Sequence, residues 1–413
     1  MATAAAVEPR TDKRIVWLVG LIGLSILLNY VDRGAIGIAA PLMKSELGLS
    51  ATGFGIAVSA FFWVYAPMCL VVGWLCDRFC VYRVFSLGVV IWALATLLTG
   101  FVGGLVSLLA LRLVLGLGEA IAFPGSSKIF AAEVPAHSRG MANAIVGAAL
   151  AFGPAVGTLA GGAILDLAGW RPIFWVFGAV TLLWLLPWHG VSRPFRSKGL
   201  STPVVDAIPL KRLIRMPALW LMSIAHFMSN YGFYFLLAWL PLFLVDTRGY
   251  TIAQMTTLAT AGLVAQGVSA LVAGRVSDML VARGADEARL RRWTMALCQL
   301  VTGAAIAGVF FAQSSGAMLF WLVLAGMAIG PISVNLFAVA QMFGGPRATG
   351  GWVGVQNTFG NVAGIVGPIL TGVIVDSFGS YGWAFVFAAI IPAIGFVWWL
   401  FVIPPIREVE SPA

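Results

Sequence analysis

The chain has 413 residues, 60% hydrophobic and only 10% charged, with a formal net charge of +9. A water-soluble protein covers itself with roughly 25% charged residues, so a soluble globular fold is excluded. The basic excess lies between long apolar blocks rather than in one patch, which argues against a nucleic-acid partner and for membrane lipid.

Residues 1–14 are polar and lack a cleavable-signal pattern, so they read as a tail ahead of an uncleaved first anchor. Apolar blocks long enough for a bilayer, about 20 residues each, then follow at Ile15–Met43, Ala51–Asp77, Tyr82–Phe101, Leu105–Val134, Met141–Leu167 and Arg171–Trp188. A polar segment at 191–217, with six basic side chains, interrupts the pattern. The blocks resume at Leu219–Val245, Ile252–Val281, Trp293–Ala312, Gly316–Phe343, Gly350–Phe378 and Trp383–Ile403. The predicted organisation is therefore a tail (1–14), a six-helix bundle (15–190), a linker (191–217), a second six-helix bundle (218–403) and a short tail (404–413). An even number of spans puts both termini on one side. Nineteen of the 25 lysines and arginines then fall on that side, three on the other (Lys44, Arg171, Arg248) and three inside spans. Since basic loops stay cytoplasmic, this predicts a multi-pass protein of a bacterial-type inner membrane with cytoplasmic termini.

A short pattern recurs through both halves. Gly73–Asp77 and Gly274–Asp278 end the second and eighth spans as Gly-x-x-x-Asp, and Gly162–Asp166 and Gly372–Asp376 end the fifth and eleventh. Four copies, one per three-span unit, indicate nested duplication, an architecture that places a substrate near the midplane between rocking halves. Asp77 with its neighbour Arg78, Asp166, Asp278 and Asp376 are the candidate gating residues, through charge-assisted contacts with helix ends or arginines. Simple capping at the membrane surface is the alternative.

Two acids and two arginines lie deep within spans: Asp32, Arg33, Arg112 and Glu119. A charge at the bilayer centre costs roughly 2.5–3.5 kcal/mol even on lenient scales. Arginine stays protonated and grips a carboxylate with a fork of donors, which makes Arg33 and Arg112 candidates for an anionic substrate. A buried carboxylic acid favours its neutral form, which makes Asp32 and Glu119 candidate proton carriers. Arg112 and Glu119 are seven residues apart and so share one helix face, about 10 Å apart. Tyr30 and Arg33 share a face, whereas Asp32 points about 100° away from Arg33. Two structural ion pairs would be the alternative use of these charges. Neutral polar groups at depth, including Tyr234, Ser333, Asn335, Asn357 and Asn361, concentrate in the second half, with Tyr65 in the first. His226 reads as a packing residue, and Cys69, Cys76, Cys80 and Cys298 lack metal-ligand spacing.

At Asn29-Tyr30-Val-Asp32-Arg33, at Arg112 and Glu119-Ala120 with Pro124, at Trp239-Leu240-Pro241 and at Asn357 to Pro368, the sequence resembles the major facilitator superfamily, specifically its anion:cation symporter branch. The resemblance implies an all-α membrane fold of twelve helices in two pseudo-symmetric bundles. It implies anion contacts from Arg33 and Arg112, and proton coupling through Asp32 and Glu119. Substrate hydrogen bonds from Tyr30, Tyr65 and Asn357, with Ser333 and Asn335, are also implied. Leu336 and the apolar run Gly147–Phe152 depart from sugar-acid carriers and favour a more apolar anion. The expected function is proton-coupled import of a small organic carboxylate by alternating access, by a monomer using protons and no other cofactor. A proton-driven exporter, suggested by Gly153-Pro154-Ala-Val-Gly157, is the alternative. An enzyme is not expected, because His137, His189 and His226 are scattered.

Overall fold

The computed structural model describes residues 13–134, 139–196 and 208–408, all helices and connections, with no strand among them. Residues 1–12 and 409–413 of the tails, residues 135–138 with His137, residues 197–207 of the linker and the side chain of Asp77 lie outside the described residues. Twelve described helices are long and apolar enough to cross a membrane. They are α1 (Lys13–Glu46), α2 (Ala51–Arg78), α3 (Val81–Thr99), α4 (Leu105–Phe130), α5 (Arg139–Ala168), α6 (Arg171–Ser192), α7 (Pro217–Thr247), α8 (Ile252–Ala282), α9 (Glu287–Phe311), α10 (Ser315–Gly345), α11 (Ala348–Phe378) and α12 (Gly382–Val402). In the linker, only a 3-10 turn at Arg193–Phe195 and one helical turn at Leu210–Leu213 flank its undescribed part.

Two departures from the expected spans have local causes. Helix α9 starts at Glu287 rather than Trp293, because Asp286 caps it by accepting a bond from the Arg289 amide at 3.0 Å. An apolar pattern does not register such a polar first turn, which a side-chain cap suffices to start. Helix α4 breaks just after Glu119, with helical pieces at Leu105–Glu119 and Ala122–Glu133. Pro124 explains the break: it has no amide hydrogen to donate to Ala120, and its ring crowds the Ala120 carbonyl.

Among the described residues the packing falls into three large apolar cores and a small cluster of Ile26, Ala122 and Ala149. One, built from Leu18, Phe61, Phe85, Trp92 and Trp188 among others, belongs to α1–α6 near the face bearing the termini. A second, with Leu219, Ile332, Trp352 and Trp399, belongs to the other half at the same face. The third draws on both halves, joining Ala39 and Phe54 to Trp239, Met255 and Phe385 towards the face where α1 hands over to α2. The halves are thus fused at that face and keep separate cores at the other. Glycines permit the fusion. A Cβ at Gly37 would collide with the Leu237 carbonyl, and one at Gly55 with the Pro368 carbonyl.

Candidate substrate cavity between the halves

Near the midplane, a cavity lies between the halves, lined by Tyr30, Arg33, Ile36 and Gly37 of α1, Phe61 and Phe62 of α2, and Arg112 of α4. Its other wall comes from α7 and α11 and includes Phe233, Tyr234 and Pro368. Both arginines singled out from the sequence therefore reach one cavity.

Their surroundings differ. Arg33 donates from Nε to Glu119 Oε2 at 2.8 Å, a pair whose side chains are 8% and 0% exposed. The Arg33 guanidinium lies over three rings, 4.4 Å from the centroid of Tyr65, 4.8 Å from Tyr30 and 5.0 Å from Phe61. Cation–π attraction strengthens when water is excluded, so this aromatic cage fixes the group. Arg33 Nη2 and Glu119 Oε1 find no partner among the described residues. Arg112 donates only to backbone, from Nε to the Ala57 carbonyl at 3.3 Å and from Nη2 to the Val58 carbonyl at 3.2 Å. Its guanidinium is 5.1 Å from the Phe61 ring, and among the described residues it pairs with no carboxylate. Gly116 makes this possible, since a Cβ there would strike the Phe61 carbonyl and hold α4 away from α2.

Arg112 and Glu119 do share a face, but Glu119 pairs across to α1 rather than along its own helix. A separation of about 10 Å along the axis is too long for a direct bond. Asp32 points away from the cavity, as its angle to Arg33 requires. It accepts from Trp92 Nε1 at 2.7 Å and from Thr96 Oγ1 at 3.4 Å. Its second oxygen is unpartnered among the described residues, and it lines a smaller void with Thr99, Phe174 and Arg112. Arg112 therefore walls both the central cavity and the Asp32 void. Trp92 and Thr96, the groups that hold Asp32, carry no sequence signal of their own.

The polar groups of the second half are only partly at the cavity. Tyr234 lines it and donates to Asn361 Oδ1 at 2.8 Å. Asn357 is half-buried and is absent from the cavity wall; its carbonyl accepts from the Asn361 amide nitrogens of both backbone and side chain, at 3.0 and 2.8 Å. Ser333 bonds the Gly330 carbonyl at 2.7 Å. Asn335 is committed elsewhere: it accepts from Arg291 Nη1 at 2.9 Å and donates to the Pro331 carbonyl at 2.9 Å. Helical side chains three or four residues apart reach their own carbonyls easily, which draws Ser333 and Asn335 onto α10. Buried His226 packs edge-on to Phe337.

Other sequence features resolve into packing. Leu336 is in the second half's own core, and Phe152 packs against Gly267, so neither departure from sugar-acid carriers touches the cavity. The cavity's apolar character comes instead from Phe61, Phe62 and Phe233. Gly153 and Gly157 are where α5 presses against Tyr30 and Val31 of α1, which gives the exporter-like motif a structural role.

Of the gating candidates, Asp376 makes a contact between halves. Its two oxygens accept from the Ala51 and Thr52 amides, at 3.0 and 2.7 Å, capping α2 from the end of α11. Asp166 and Asp278 are exposed, and so is Arg78. The repeat is thus asymmetric here: Asp376 adds to the cap that Ser50 already gives α2, whereas α8, the counterpart of α2, has the Thr251–Gln254 capping box. Replacing Asp376 by Ala removes two charge-assisted bonds from the fused face. Modification of the cysteine in an Ile36→Cys variant, whose side chain lines the cavity, by an impermeant thiol reagent applied from that face, should speed up about two- to tenfold. An unchanged rate would show that Asp376 has no hold on the closed state.

The sequence matches the model of the Major Facilitator Superfamily over residues 22–285 and 251–413. It is 30% identical to the probable sulfoacetate transporter SauU of Cupriavidus necator, over 96% of this chain and 95% of that protein. It is 28% identical to the probable galactarate/D-glucarate transporter GudP of Escherichia coli K12, over 98% and 97% of the two chains. Among solved structures, a bacterial homologue of the human lysosomal transporter Spinster, crystallised in an inward-facing, unoccupied conformation, superposes with a TM-score of 0.80 at 18% identity, covering 95% of this chain and 97% of that one. A family model that spans both halves, transporters as relatives and twelve membrane helices around a central cavity agree: this chain is a multi-pass transporter of the Major Facilitator Superfamily and not an enzyme.

Proposed function

We propose that the protein imports a small organic anion together with protons, by alternating access, from a bacterial-type inner membrane in which both termini are cytoplasmic. The observation that carries this reading is the Arg33–Glu119 pair on the wall of a cavity that also holds Arg112 without a carboxylate partner. Two guanidiniums against one carboxylate leave a single excess positive charge at the cavity, suited to one carboxylate or sulfonate. The names of the relatives, transporters of sulfoacetate and of galactarate/D-glucarate, support an organic acid anion as cargo, although both of those are doubly charged.

Coupling follows from competition. With Glu119 ionised, its charge occupies Arg33. When Glu119 takes up a proton, Arg33 is released to join Arg112 on the anion, and loss of that proton restores the pair and displaces the cargo. Asp32 adds a second acid near Arg112: ionised, it cancels the excess charge, and protonated, it restores the attraction for an anion. Protons and anion therefore load together, since each makes the other's binding less costly.

The test is transport in proteoliposomes with a defined orientation. A pH gradient, acid on the side of the α1–α2 connection, should drive accumulation of a radiolabelled carboxylate, with matching alkalinisation of that side. Equal uptake with and without the gradient would end the symport reading. Accumulation driven only by acid on the opposite side to the anion would establish the exporter.

A further inference from the structure

A second, largely apolar pocket adjoins the arginine cavity and is not used by the mechanism above. Phe233 and Leu237 of α7 line both spaces, so those two side chains are the wall between them. On α1, Arg33 faces the first space and the next residue, Gly34, faces the second. The chamber is otherwise apolar, closed by residues such as Leu240 and Ile329, except for two polar side chains. These are Thr158 of α5 and Gln266 of α8, which are 3% and 6% exposed and make no side-chain hydrogen bond among the described residues. Buried polar groups nearly always have partners, so a pair of them facing an apolar chamber points to a ligand that supplies the bonds.

We infer that this chamber receives the apolar body of the transported anion, whose charged head is held at Arg33 and Arg112. The substrate is then a carboxylate or sulfonate carried on an aromatic ring or short hydrocarbon chain, with room for one distal hydroxyl between Thr158 and Gln266, rather than a polyhydroxylated acid. Phe233, half-buried between the two spaces, is the side chain the body must pass. A polyol would lose its hydration along this path and find two polar groups in return, which disfavours it. The inference rests on the anion reading of the two arginines, and it adds the specificity that they cannot supply. Guanidiniums recognise a carboxylate whatever it is attached to.

The experiment is equilibrium binding to the purified full-length transporter in detergent, using propionate, 3-phenylpropionate, 3-(4-hydroxyphenyl)propionate and gluconate. Gly34 is the place to fill the chamber, because a Cβ there meets only ordinary contacts, at 3.9 Å from the Pro154 carbonyl and the Thr158 hydroxyl. The phenyl acids should bind at least about tenfold tighter than propionate or gluconate, in the range that pocket complementarity provides. Gly34→Leu should remove that advantage while leaving propionate binding unchanged, and Gln266→Leu should remove any gain from the ring hydroxyl. If gluconate binds as tightly as 3-phenylpropionate, or if Gly34→Leu weakens propionate and 3-phenylpropionate equally, the chamber is not a subsite and the anion reading stands. If none of the four acids binds, the anion reading fails and this inference fails with it.

Discussion

Arg33→Ala should abolish anion binding and also lower the thermal stability of the purified protein, whereas Arg112→Ala should abolish binding with little loss of stability. The two arginines line the same cavity, but only Arg33 neutralises a buried acid. Removing one partner of a buried pair costs about 3–5 kcal/mol, because the other charge is left unmatched; protonation of Glu119 would recover part of that. Arg112 bonds only to the Ala57 and Val58 carbonyls, which lie inside α2 and keep their helical hydrogen bonds when it is lost. The double variant Arg33→Ala/Glu119→Gln should regain most of the lost stability and none of the binding. A thermal unfolding series with and without carboxylate separates the cases. Arg33→Ala unfolding at the wild-type temperature would mean that the ion pair does not support the fold.

Glu119→Gln should eliminate uphill accumulation while sparing exchange of anion across the membrane. The amide still accepts a hydrogen bond from Arg33 but carries no charge and takes up no proton, so the cavity stays in its anion-attracting condition on both sides. Counterflow of labelled for unlabelled substrate needs only rocking of the loaded carrier. Net pumping needs the acid to release its proton inside and reclaim Arg33. Expected losses in gradient-driven accumulation are about a hundredfold or more, since removal of an essential proton-transfer group typically costs 10²–10⁴. Proton-driven accumulation persisting in this variant would shift the coupling role to Asp32 alone.

The twelve spans were legible because a bilayer demands them: backbone polar groups in hydrocarbon must be satisfied within the helix, so each span declares itself as an unbroken apolar block. The helix-face geometry of Tyr30, Asp32 and Arg33 was also readable, since it depends only on a fixed rotation per residue. The partnership of charges was not. Glu119 lies on the same face as Arg112, yet its partner arrives from α1, and no spacing within one helix encodes which neighbour leans in. Asn335 shows the same limit from the other side. It stood out as a polar group at depth, but it is taken by Arg291, which reads as a loop charge until α9 is seen to begin at Glu287 and carry it inward to 8% exposure. The aromatic cage around Arg33 combines Tyr30 and Tyr65, which the sequence indicated, with Phe61, which nothing in the sequence sets apart from the other apolar residues of its span.

The single core that joins both halves where α1 meets α2 has a kinetic consequence for the empty carrier. On the proposed import cycle, reaching cargo on that side means parting a seam in which Trp239, Phe54 and Phe385 all lie within one apolar cluster, which raises the free energy of the receptive form. The affinity seen from that side is then weaker than the intrinsic one by the fraction of molecules ajar at any moment. Loosening the seam should therefore sharpen apparent uptake affinity without any change to the binding residues.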